Sequence, residues 1–422
     1  MMEWKDVKLG DILQEKGYIR GPFGSALKRG EMKSDGIPVY EQQHAIYDSR
    51  FFRFYIGNEK FEELKRFQVK TNDLIISCSG TVGEISIIKD EDPKGIISQA
   101  LLTLRVDQGQ ILPKFLYYFF KTKKGHNSIL ERSSGSVQVN IAKRNVIEDI
   151  RLLLPPLSTQ RRIASILSSL DRKIELNNKI NAQLEEMAQA IFKSWFVDFE
   201  PFKDGKFVES ELGMIPEGWR VECIKDIPHK IETGRRPKGG VGTITKGIPS
   251  IGAEHVKGMG NFDYGKVKFI PEEYASSLKS GKVDGYELLI YKDGGKPGYF
   301  IPNYSIFGEG YPYETCYLNE HVFKLDFEAG RWYNIFSYFY FQTDYVMNYL
   351  NAQGGKAAIP GINKNDVESL LIYTPDNKKV QEFGKLVLPF FTTMLKNLKA
   401  NRELSQLRDT LLPKLMNGEI EI

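Results

Sequence analysis

The chain has 422 residues, too many for one compact core, so two or three domains are expected. A hydrophobic content of 41% and a charged content of 27% exclude a disordered chain, and a net charge of +4 neither requires nor excludes a nucleic-acid partner. The charged N-terminus lacks the apolar core of a signal peptide, and no stretch approaches the ~20 apolar residues of a membrane span. The three cysteines lack the spacing of a metal or redox site. A cytoplasmic location is therefore expected.

The first predicted domain covers residues 1–156. It is rich in glycine and aromatic residues and contains short β-branched runs, for example at residues 73–77 and 84–88. Short strands between glycine turns are therefore predicted, with a few helices between them. One helix is predicted at Pro113–Lys121, where phenylalanine and leucine recur on one face.

A long central helix is predicted over residues 157–200. No glycine or proline interrupts residues 158–197, and Pro155 and Pro156 end the preceding strand. Its apolar residues advance in steps of four and three, with two asparagines at the centre of the seam. The seam positions are Ile163, Leu167, Leu170, Ile174, Asn177, Asn181, Leu184, Ala188, Ile191 and Trp195. At ~1.5 Å per residue this helix is roughly 60 Å long.

The second predicted domain, residues 201–376, repeats the first in the same order. Three matched segments are Gly36-Ile37-Pro38 with Gly247-Ile248-Pro249, Ile141-Ala142-Lys143 with Ile362-Asn363-Lys364, and Asn181-Ala182-Gln183-Leu184 with Asn401-Arg402-Glu403-Leu404. Because the order is collinear, the chain is interpreted as a diverged tandem duplication. The counterpart of the Pro113–Lys121 helix is expected as one buried aromatic helix at residues 332–350.

A second long helix is predicted over residues 377–422, with a kink or a break near Pro389 and near Pro413. Its predicted apolar side carries Phe391, Leu395, Leu398, Leu404, Leu407, Leu411 and Leu415. The simplest partner for each long helix is the other one, packed antiparallel as a coiled coil, although each could instead pack on its own globular part. The predicted fold class is α+β, with two tandem-repeated mixed α/β domains separated by this helix pair.

No catalytic motif is found in the sequence. A P-loop, a G-x-G-x-x-G turn, an H-E-x-x-H motif and a G-x-S-x-G elbow are all absent, and residues 154–157 lack the polar residue of an amino-methyltransferase loop. The one match to a nuclease pattern is Glu63-Leu64-Lys65 with Asp48 upstream, in a charged segment. The chain is therefore not expected to be an enzyme.

Basic, glycine-rich polar loops occur in both predicted domains. Glycine lets the backbone approach phosphate, Arg and Lys supply charge, and Arg, Gln and Asn can read base edges in the major groove. Such loops are also common as solvated turns, but corresponding loops in both halves favour DNA binding. The candidate DNA-binding residues are Arg20, Gly21, Ser25, Lys28, Arg29, Gln42, Gln43, His44, Ser79, Thr81, Ser134, Ser136, Gln138, Arg235, Arg236, Lys238, His255, Lys292, Lys296, Gln353 and Lys356.

Four segments carry a resemblance to a known family. They read LPPLSTQRRI at residues 154–163, FKSWFVDF at 192–199, RDTLLPKL at 408–415 and GPFGS at 21–25. With these segments, the chain resembles the specificity subunits of Type I restriction-modification systems (the HsdS family). The resemblance covers essentially the whole chain. It departs from the family at Tyr373-Thr374-Pro375-Asp376, where two prolines would precede the second helix.

The resemblance implies two target-recognition domains, each reading one half of a bipartite, asymmetric DNA site. It also implies that the long helices set the spacer and dock two modification (methyltransferase) subunits, which two restriction subunits join. AdoMet, ATP and Mg²⁺ would then be bound by those partner subunits, with no cofactor, metal or membrane contact expected for this chain.

Three alternatives remain open at this point. One is a specificity subunit that serves a methylation-only system, and another is a protein scaffold whose basic loops do not bind DNA. The third is a stand-alone nuclease or methyltransferase, against which the missing motifs argue.

Overall fold

The computed structural model describes residues 4–23, 26–133, 140–242, 244–296, 298–356 and 360–422. The chain forms two compact units. The first unit extends to Lys173 and includes Glu403–Ile422, and the second unit is Ile174–Arg402. Each long helix is thus divided between the two units, whereas the sequence placed domain boundaries at the helix ends, and those boundaries remain a prediction.

The first unit contains nine strands and five complete helices within its described residues. The strands are β1 (Lys5–Lys8), β2 (Leu13–Arg20), β3 (Ile37–Tyr40), β4 (Tyr55–Ile56), β5 (Leu74–Ser77), β6 (Ile85–Ile87), β7 (Ile96–Ile97), β8 (Leu101–Val106) and β9 (Arg151–Leu154). The helices are α1 (Gln42–Ile46), α2 (Asn58–Glu63), α3 (Pro113–Lys121), α4 (Lys123–Leu130) and α5 (Arg144–Glu148), followed by the long α6 (Leu157–Phe196).

The described part of the first unit has three sheets, one of which is the two-stranded pair β1-β9. An antiparallel sheet has the order β2-β8-β5-β6, and a second sheet has the order β4-β3-β7, in which β3 and β7 are parallel. The short runs Leu74–Ser77 and Leu101–Val106 are almost wholly buried because core residues cover both faces of these strands. Helix α3 packs its phenylalanines into the same core, and its bounds are the predicted ones.

The second unit contains fourteen strands within its described residues. They are β10 (Phe207–Ser210), β11 (Gly213–Pro216), β12 (Arg220–Cys223), β13 (His229–Thr233), β14 (Ile248–Ile251), β15 (Gly258–Met259), β16 (Lys268–Ile270), β17 (Leu288–Tyr291), β18 (Gly295–Lys296), β19 (Tyr299–Phe300), β20 (Asn303–Ile306), β21 (Tyr317–Leu318), β22 (Val322–Phe327) and β23 (Leu371–Thr374). Its helices are α7 (Glu272–Ser277), α8 (Arg331–Tyr340), α9 (Asp344–Gly354) and α10 (Lys364–Glu368), followed by the long α11 (Asn377–Met416).

The topology of the second unit repeats that of the first. The sheet β13-β22-β17-β20 corresponds to β2-β8-β5-β6 and gains β15 at its edge, and β16-β14-β21 corresponds to β4-β3-β7 with the same parallel pair. The pairs β1-β9 and β12-β23 also correspond. The duplication predicted from the sequence is therefore present in the fold.

The prediction of one helix at residues 332–350 was wrong, because α8 and α9 are separate helices. The hydroxyl of Thr343 donates to the carbonyl of Tyr340 at 2.7 Å between them. In the first unit the hydroxyl of Thr122 donates to the carbonyl of Phe119 at 2.7 Å, and α4 follows α3 in the same way. A threonine hydroxyl that bonds the preceding turn competes with continuation of a helix, and it recurs in both copies.

Helix α6 buries the predicted seam over most of its length. Ile163 and Leu167 lie in the core of the first unit, and Asn177, Asn181 and Ala188 are buried in the second. The last turns differ from the prediction, because the buried positions there are Phe192 and Phe196 and the predicted Ile191 and Trp195 are only half-buried. A helix with 3.6 residues per turn drifts from a strict heptad, and this end packs on globular core.

Asparagines join α6 and α11 inside the second unit. The Nδ2 of Asn177 donates to the Oδ1 of Asn401 at 2.8 Å, and Asn401 donates to Asn178 at 2.8 Å. Asn397 donates to Asn181 at 2.8 Å. Since partners on α6 rise in number as those on α11 fall, the two helices run antiparallel, as predicted. The Oδ1 of Asn177 is buried without a hydrogen-bond partner, but the three amide bonds between the helices fix the register of the pair.

The first unit joins its parts of the two helices through a carboxylate. Asp171 of α6 accepts from the hydroxyl of Tyr118 at 2.6 Å and from the guanidinium of Arg408 at 2.8 Å. Burial of Tyr118, together with this bond to Asp171, raises the pKa of its hydroxyl well above the usual range. The RDTLLPKL motif therefore begins with the arginine that ties α11 to α6 and to α3.

Helix α11 differs from the prediction in two details. It is one helix through Pro389 and Pro413, so the expected break is absent there, while a kink near either proline stays a prediction. Phe391, Met394 and Leu412, close to the prolines, are buried in core. Its predicted apolar side is buried at Phe391 and Leu415, but Leu407 is 48% exposed.

Candidate nucleic-acid interface

A glycine stands at the same place in both units, directly after the first strand of the larger sheet. The amide of Gly21 donates to the carbonyl of Leu101 at 3.0 Å, and that of Gly234 donates to the carbonyl of Asn319 at 3.2 Å. A Cβ would lie 1.9 Å from the carbonyl oxygen of Ser98 at Gly21 and 1.6 Å from that of Leu318 at Gly234. Only glycine allows this approach, which brings the loop that follows the first strand against the segment before β8 in the first unit and before β22 in the second. We call this part of each unit its edge.

The edge of the first unit is joined by neutral hydrogen bonds. The backbone amide of Ser79 donates to the Oε1 of Gln42 at 3.2 Å, and the Ser79 hydroxyl donates to the Oδ1 of Asn140 at 2.7 Å. The predicted readers Gln42 and Ser79 thus lie together, and Thr81 is exposed beside them. Amide and hydroxyl groups of this kind can donate to and accept from base edges.

The corresponding edge of the second unit is charged. The guanidinium of Arg236 is paired with Glu320 and donates to the Nε2 of His321 at 2.6 Å, and the Nδ1 of His321 donates to Asp293 at 2.7 Å. Burial alone would raise the pKa of Glu320, but the hydrogen bond and charge of Arg236, a backbone hydrogen bond and the charge of His321 together lower this pKa. Arg235 and Lys238 are exposed on the same loop.

The backbone below these two edges is the same. The amide of Ile141 donates to the carbonyl of Cys78 at 3.0 Å, and that of Ile362 donates to the carbonyl of Lys292 at 2.8 Å. Isolated bridges follow in both units, Ser79 with Asn140 and Asp293 with Gly361. One scaffold therefore presents two different sets of side chains.

The other predicted residues are placed around these edges. Arg20 is half-buried with its guanidinium 5.7 Å from the ring of Phe23, and Gln43 donates to the carbonyl of Phe51 at 3.2 Å. Lys28, Arg29 and Lys296 are exposed, and the ammonium of Lys292 lies 5.2 Å from the ring of Phe323. Lys356 donates to Gln353 at 2.6 Å. Ser25, Ser134, Ser136 and Gln138 lie outside the described residues.

Two predicted readers, His44 and His255, are wholly buried. The Nδ1 atoms accept from the backbone amides of Glu41 at 2.7 Å and Gly252 at 3.2 Å. The Nε2 atoms lie 3.0 Å from the carbonyl of Phe51 and 3.2 Å from that of Asp263. Each ring also stacks on a phenylalanine, with centroids 4.6 Å apart for Phe52 and 4.2 Å apart for Phe262. With no ring edge left for a base, both histidines are structural, which corrects the prediction.

Sequence reasoning missed Asn140, Glu320 and His321. Asn140 could have been found, because it directly precedes the repeated segment that begins at Ile141 and at Ile362. His321 and Glu320 follow a strand that carries no motif, so only the fold brings them to Arg236.

The residues that match a nuclease pattern, Glu63, Lys65 and Asp48, are each paired with a different residue. Glu63 is paired with Lys60, Lys65 is paired with Glu62, and Asp48 is paired with Arg50. Within the described part of the chain, no group of three or more possible ligands could hold a metal ion. Nor is any helix there long and apolar enough to cross a membrane.

A family model described as "Type I restriction modification DNA specificity domain" matches residues 1–186. The MjaIX specificity subunit of a Type I restriction enzyme from Methanocaldococcus jannaschii is 28% identical over 436 aligned positions, covering 100% of this chain and 94% of that one. The HindI specificity subunit from Haemophilus influenzae is 23% identical, with 100% of both chains covered. The crystal structure of the S subunit of a Type I system from M. genitalium has the same fold, with a TM-score of 0.59, 14% identity, and 98% and 96% of the two chains covered.

Proposed function

Since the chain belongs to the specificity-subunit family of Type I restriction-modification systems, and is a non-catalytic DNA specificity subunit, we propose that each unit reads one half of a bipartite, asymmetric DNA site. The side chains at the edge of the first unit contact the bases of one half-site, and those of the second unit contact the other.

The observation that carries this proposal is the duplicated edge. Both units hold their loops with equivalent backbone hydrogen bonds, yet the first presents Gln42, Ser79 and Asn140 and the second presents Arg235 and Arg236. A shared scaffold with different base-reading groups is what an asymmetric site requires. A solvated turn would not need the same close backbone approach in both copies.

The two long helices set the spacer between the half-sites in this proposal and dock two modification (methyltransferase) subunits. The asparagine contacts of Asn177, Asn181 and Asn401 support a fixed register, because a buried polar seam penalises sliding of one helix past the other. A fixed register would give a fixed spacer.

The assembly we propose includes double-stranded DNA, the two modification subunits and two restriction subunits, in the cytoplasm. AdoMet, ATP and Mg²⁺ are assigned to those partners. With a net charge of only +4, this chain alone is expected to bind DNA weakly, so partner subunits complete the grip on the duplex.

Single-molecule methylation mapping tests the function. DNA from cells that express the chain with its cognate modification subunit should carry one bipartite methylated motif, which disappears when this chain is omitted. Methylation that persists without the chain would favour the scaffold alternative.

A matched insertion tests the spacer. Seven residues added to both helices, beside Asn177 and beside Asn401, keep the seam and lengthen each helix by ~10 Å. The unspecified spacer should grow by about three base pairs at ~3.4 Å each, with both half-sites unchanged. A changed half-site with the old spacer would contradict the role given to the helices.

A further inference from the structure

Two aromatic side chains stand in solvent on the first unit. Tyr47 is 76% exposed and Phe51 is 72% exposed, the highest values among the large hydrophobic residues of the described chain. Both belong to the loop that follows α1. Moving the apolar surface of an aromatic ring from water into an apolar contact is favourable, so a pair of exposed rings at one loop tip indicates a surface that is covered in the assembled state.

The loop that carries these rings is held firmly. The guanidinium of Arg50 forms an ion pair with Asp92 at 2.8 Å and donates a hydrogen bond to the carbonyl of Ile87 at 3.1 Å. Arg53 makes two bonds to Glu41, at 2.7 and 3.1 Å. The backbone that carries the rings is thus held in place, so less backbone entropy is lost when they bind.

The loop adjoins the proposed reading edge. The carbonyl of Phe51 accepts from Gln43 at 3.2 Å, and the amide of Tyr47 donates to the carbonyl of Gln43 at 2.9 Å. The preceding residue, Gln42, accepts from the amide of Ser79 at 3.2 Å. A duplex whose base edges meet Gln42 and Ser79 therefore lies next to the loop that carries both rings.

The corresponding loop of the second unit has no exposed ring among its described residues. Its Phe262 is the counterpart of Phe52, not of Phe51, and it is buried and stacked on His255. The ring of Tyr264 is half-buried and has the guanidinium of Arg402 at 4.0 Å. Two equivalent partner subunits would dock on surfaces present in both units. A surface found in one unit only fits contact with DNA better, because the two half-sites differ in sequence.

We propose that Tyr47 and Phe51 form an aromatic wedge that stacks against bases at an opened step of the first half-site. This inference rests on the proposed function and adds a reading mode for one half-site, by deformability of the step as well as by hydrogen bonds. Base–aromatic stacking needs a flat ring, whereas contact with a thymine methyl group needs only apolar bulk.

The test uses the full-length chain with its modification subunit and three short duplexes. One carries the complete motif found by methylation mapping, the second has the first half-site scrambled, and the third has the second half-site scrambled. Tyr47→Ala and Phe51→Ala should each weaken binding of the complete duplex about tenfold, and of the third duplex to a similar extent. Binding of the second duplex, which lacks the contact already, should not change.

Ring exchange at Phe51 separates stacking from apolar contact. Phe51→Trp should bind like the unchanged chain, and Phe51→Leu should lose as much as Phe51→Ala. Met214→Ala, at a 55% exposed apolar residue of the second unit, is the matched control and should have no effect. Equal losses on all three duplexes, or unchanged binding by Phe51→Leu, would overturn the wedge. If the unmodified chain fails to distinguish the three duplexes, the proposed function fails instead.

Discussion

At the proposed reading edge of the first unit, Gln42, Ser79 and Asn140 are joined by neutral hydrogen bonds, whereas Arg236, His321 and Asp293 form a charged chain at the corresponding edge of the second unit. The backbone bonds below them are equivalent. The duplicated fold fixes where side chains are presented, and the groups presented there differ between the two units. The shared frame and the different edges can be perturbed separately.

The largest expected effect comes from the shared frame. His44→Ala and His255→Ala each remove a buried stacked ring and leave a backbone amide without its acceptor, so each should lower the free energy of unfolding of its own unit by about 3 kcal/mol. Hydrogen exchange measured unit by unit checks this. The variants His44→Phe and His255→Phe keep the stacking and should lose less. A loss in only one of the two units would break the equivalence.

The same histidines predict an acid sensitivity common to both units. Burial lowers the pKa of His44 and of His255, and each Nδ1 must stay unprotonated to accept its amide. Below pH ~6.5 these histidines bind protons in the unfolded chain but remain unprotonated in the folded chain. The free energy of unfolding therefore falls as the pH drops below that value, and the full contribution of the histidines is present above it. Hydrogen exchange at pH 7 and pH 5 should show protection falling around both histidines, and less so in the phenylalanine variants. Pairs of profiles that do not differ would contradict the assignment.

A smaller effect is expected for the helix pair. Asn401→Leu leaves Asn177 and Asn178 without their partners and should lower the free energy of unfolding of the second unit by about 2 kcal/mol. Asn177→Leu combined with Asn401→Leu restores apolar complementarity and should recover much of it, while methylation mapping shows a less strict spacer. If the double variant recovers stability and the spacer stays unchanged, the asparagines do not set the register of the helices.

The two edges should differ in their response to salt. Arg235→Ala with Arg236→Ala should weaken DNA binding by about 2 kcal/mol and flatten its dependence on salt, because charged contacts release counterions. Gln42→Ala with Gln43→Ala should weaken binding by about 1–2 kcal/mol and leave the salt slope unchanged. Anisotropy titrations between low and moderate salt measure both. Equal slopes would erase the distinction between a neutral and a charged edge.

The smallest effect is expected at a single exposed lysine. Lys296→Gln removes one cation at the β18–β19 hairpin and should reduce the salt slope by about one, with base preference unchanged. The matched variant Lys179→Gln lies on the exposed face of α6 and should change neither quantity.

The duplicated fold could be predicted from the sequence because matched segments in the same order, such as those at Ile141 and Ile362, indicate the same topology in both halves. Periodicity gave the bounds of α3 and nearly those of α6 and α11. It failed where tertiary packing decides the outcome. The heptad drifts at Phe192 and Phe196 as α6 reaches globular core, and α11 continues through its prolines.

The site was less accessible for a different reason. Gln42, Ser79 and Arg236 were predicted as DNA-binding residues from their residue types alone, and the fold brings each of them to the edge of its unit. Residue type also placed His44 and His255 in that set, although burial and two backbone bonds engage both rings. Charge pairing between distant loops, as at His321, leaves no local pattern in a sequence.

The most direct test of the central claim is parallel methylation mapping of two double variants, each expressed with the modification subunit. One carries Gln42→Ala and Gln43→Ala in the first unit, and the other carries Arg235→Ala and Arg236→Ala in the second. Each variant should relax the base preference of one half-site, a different half for each, and the spacer should be unchanged in both. If both variants relax the same half-site, or both halves equally, the two units do not read DNA separately.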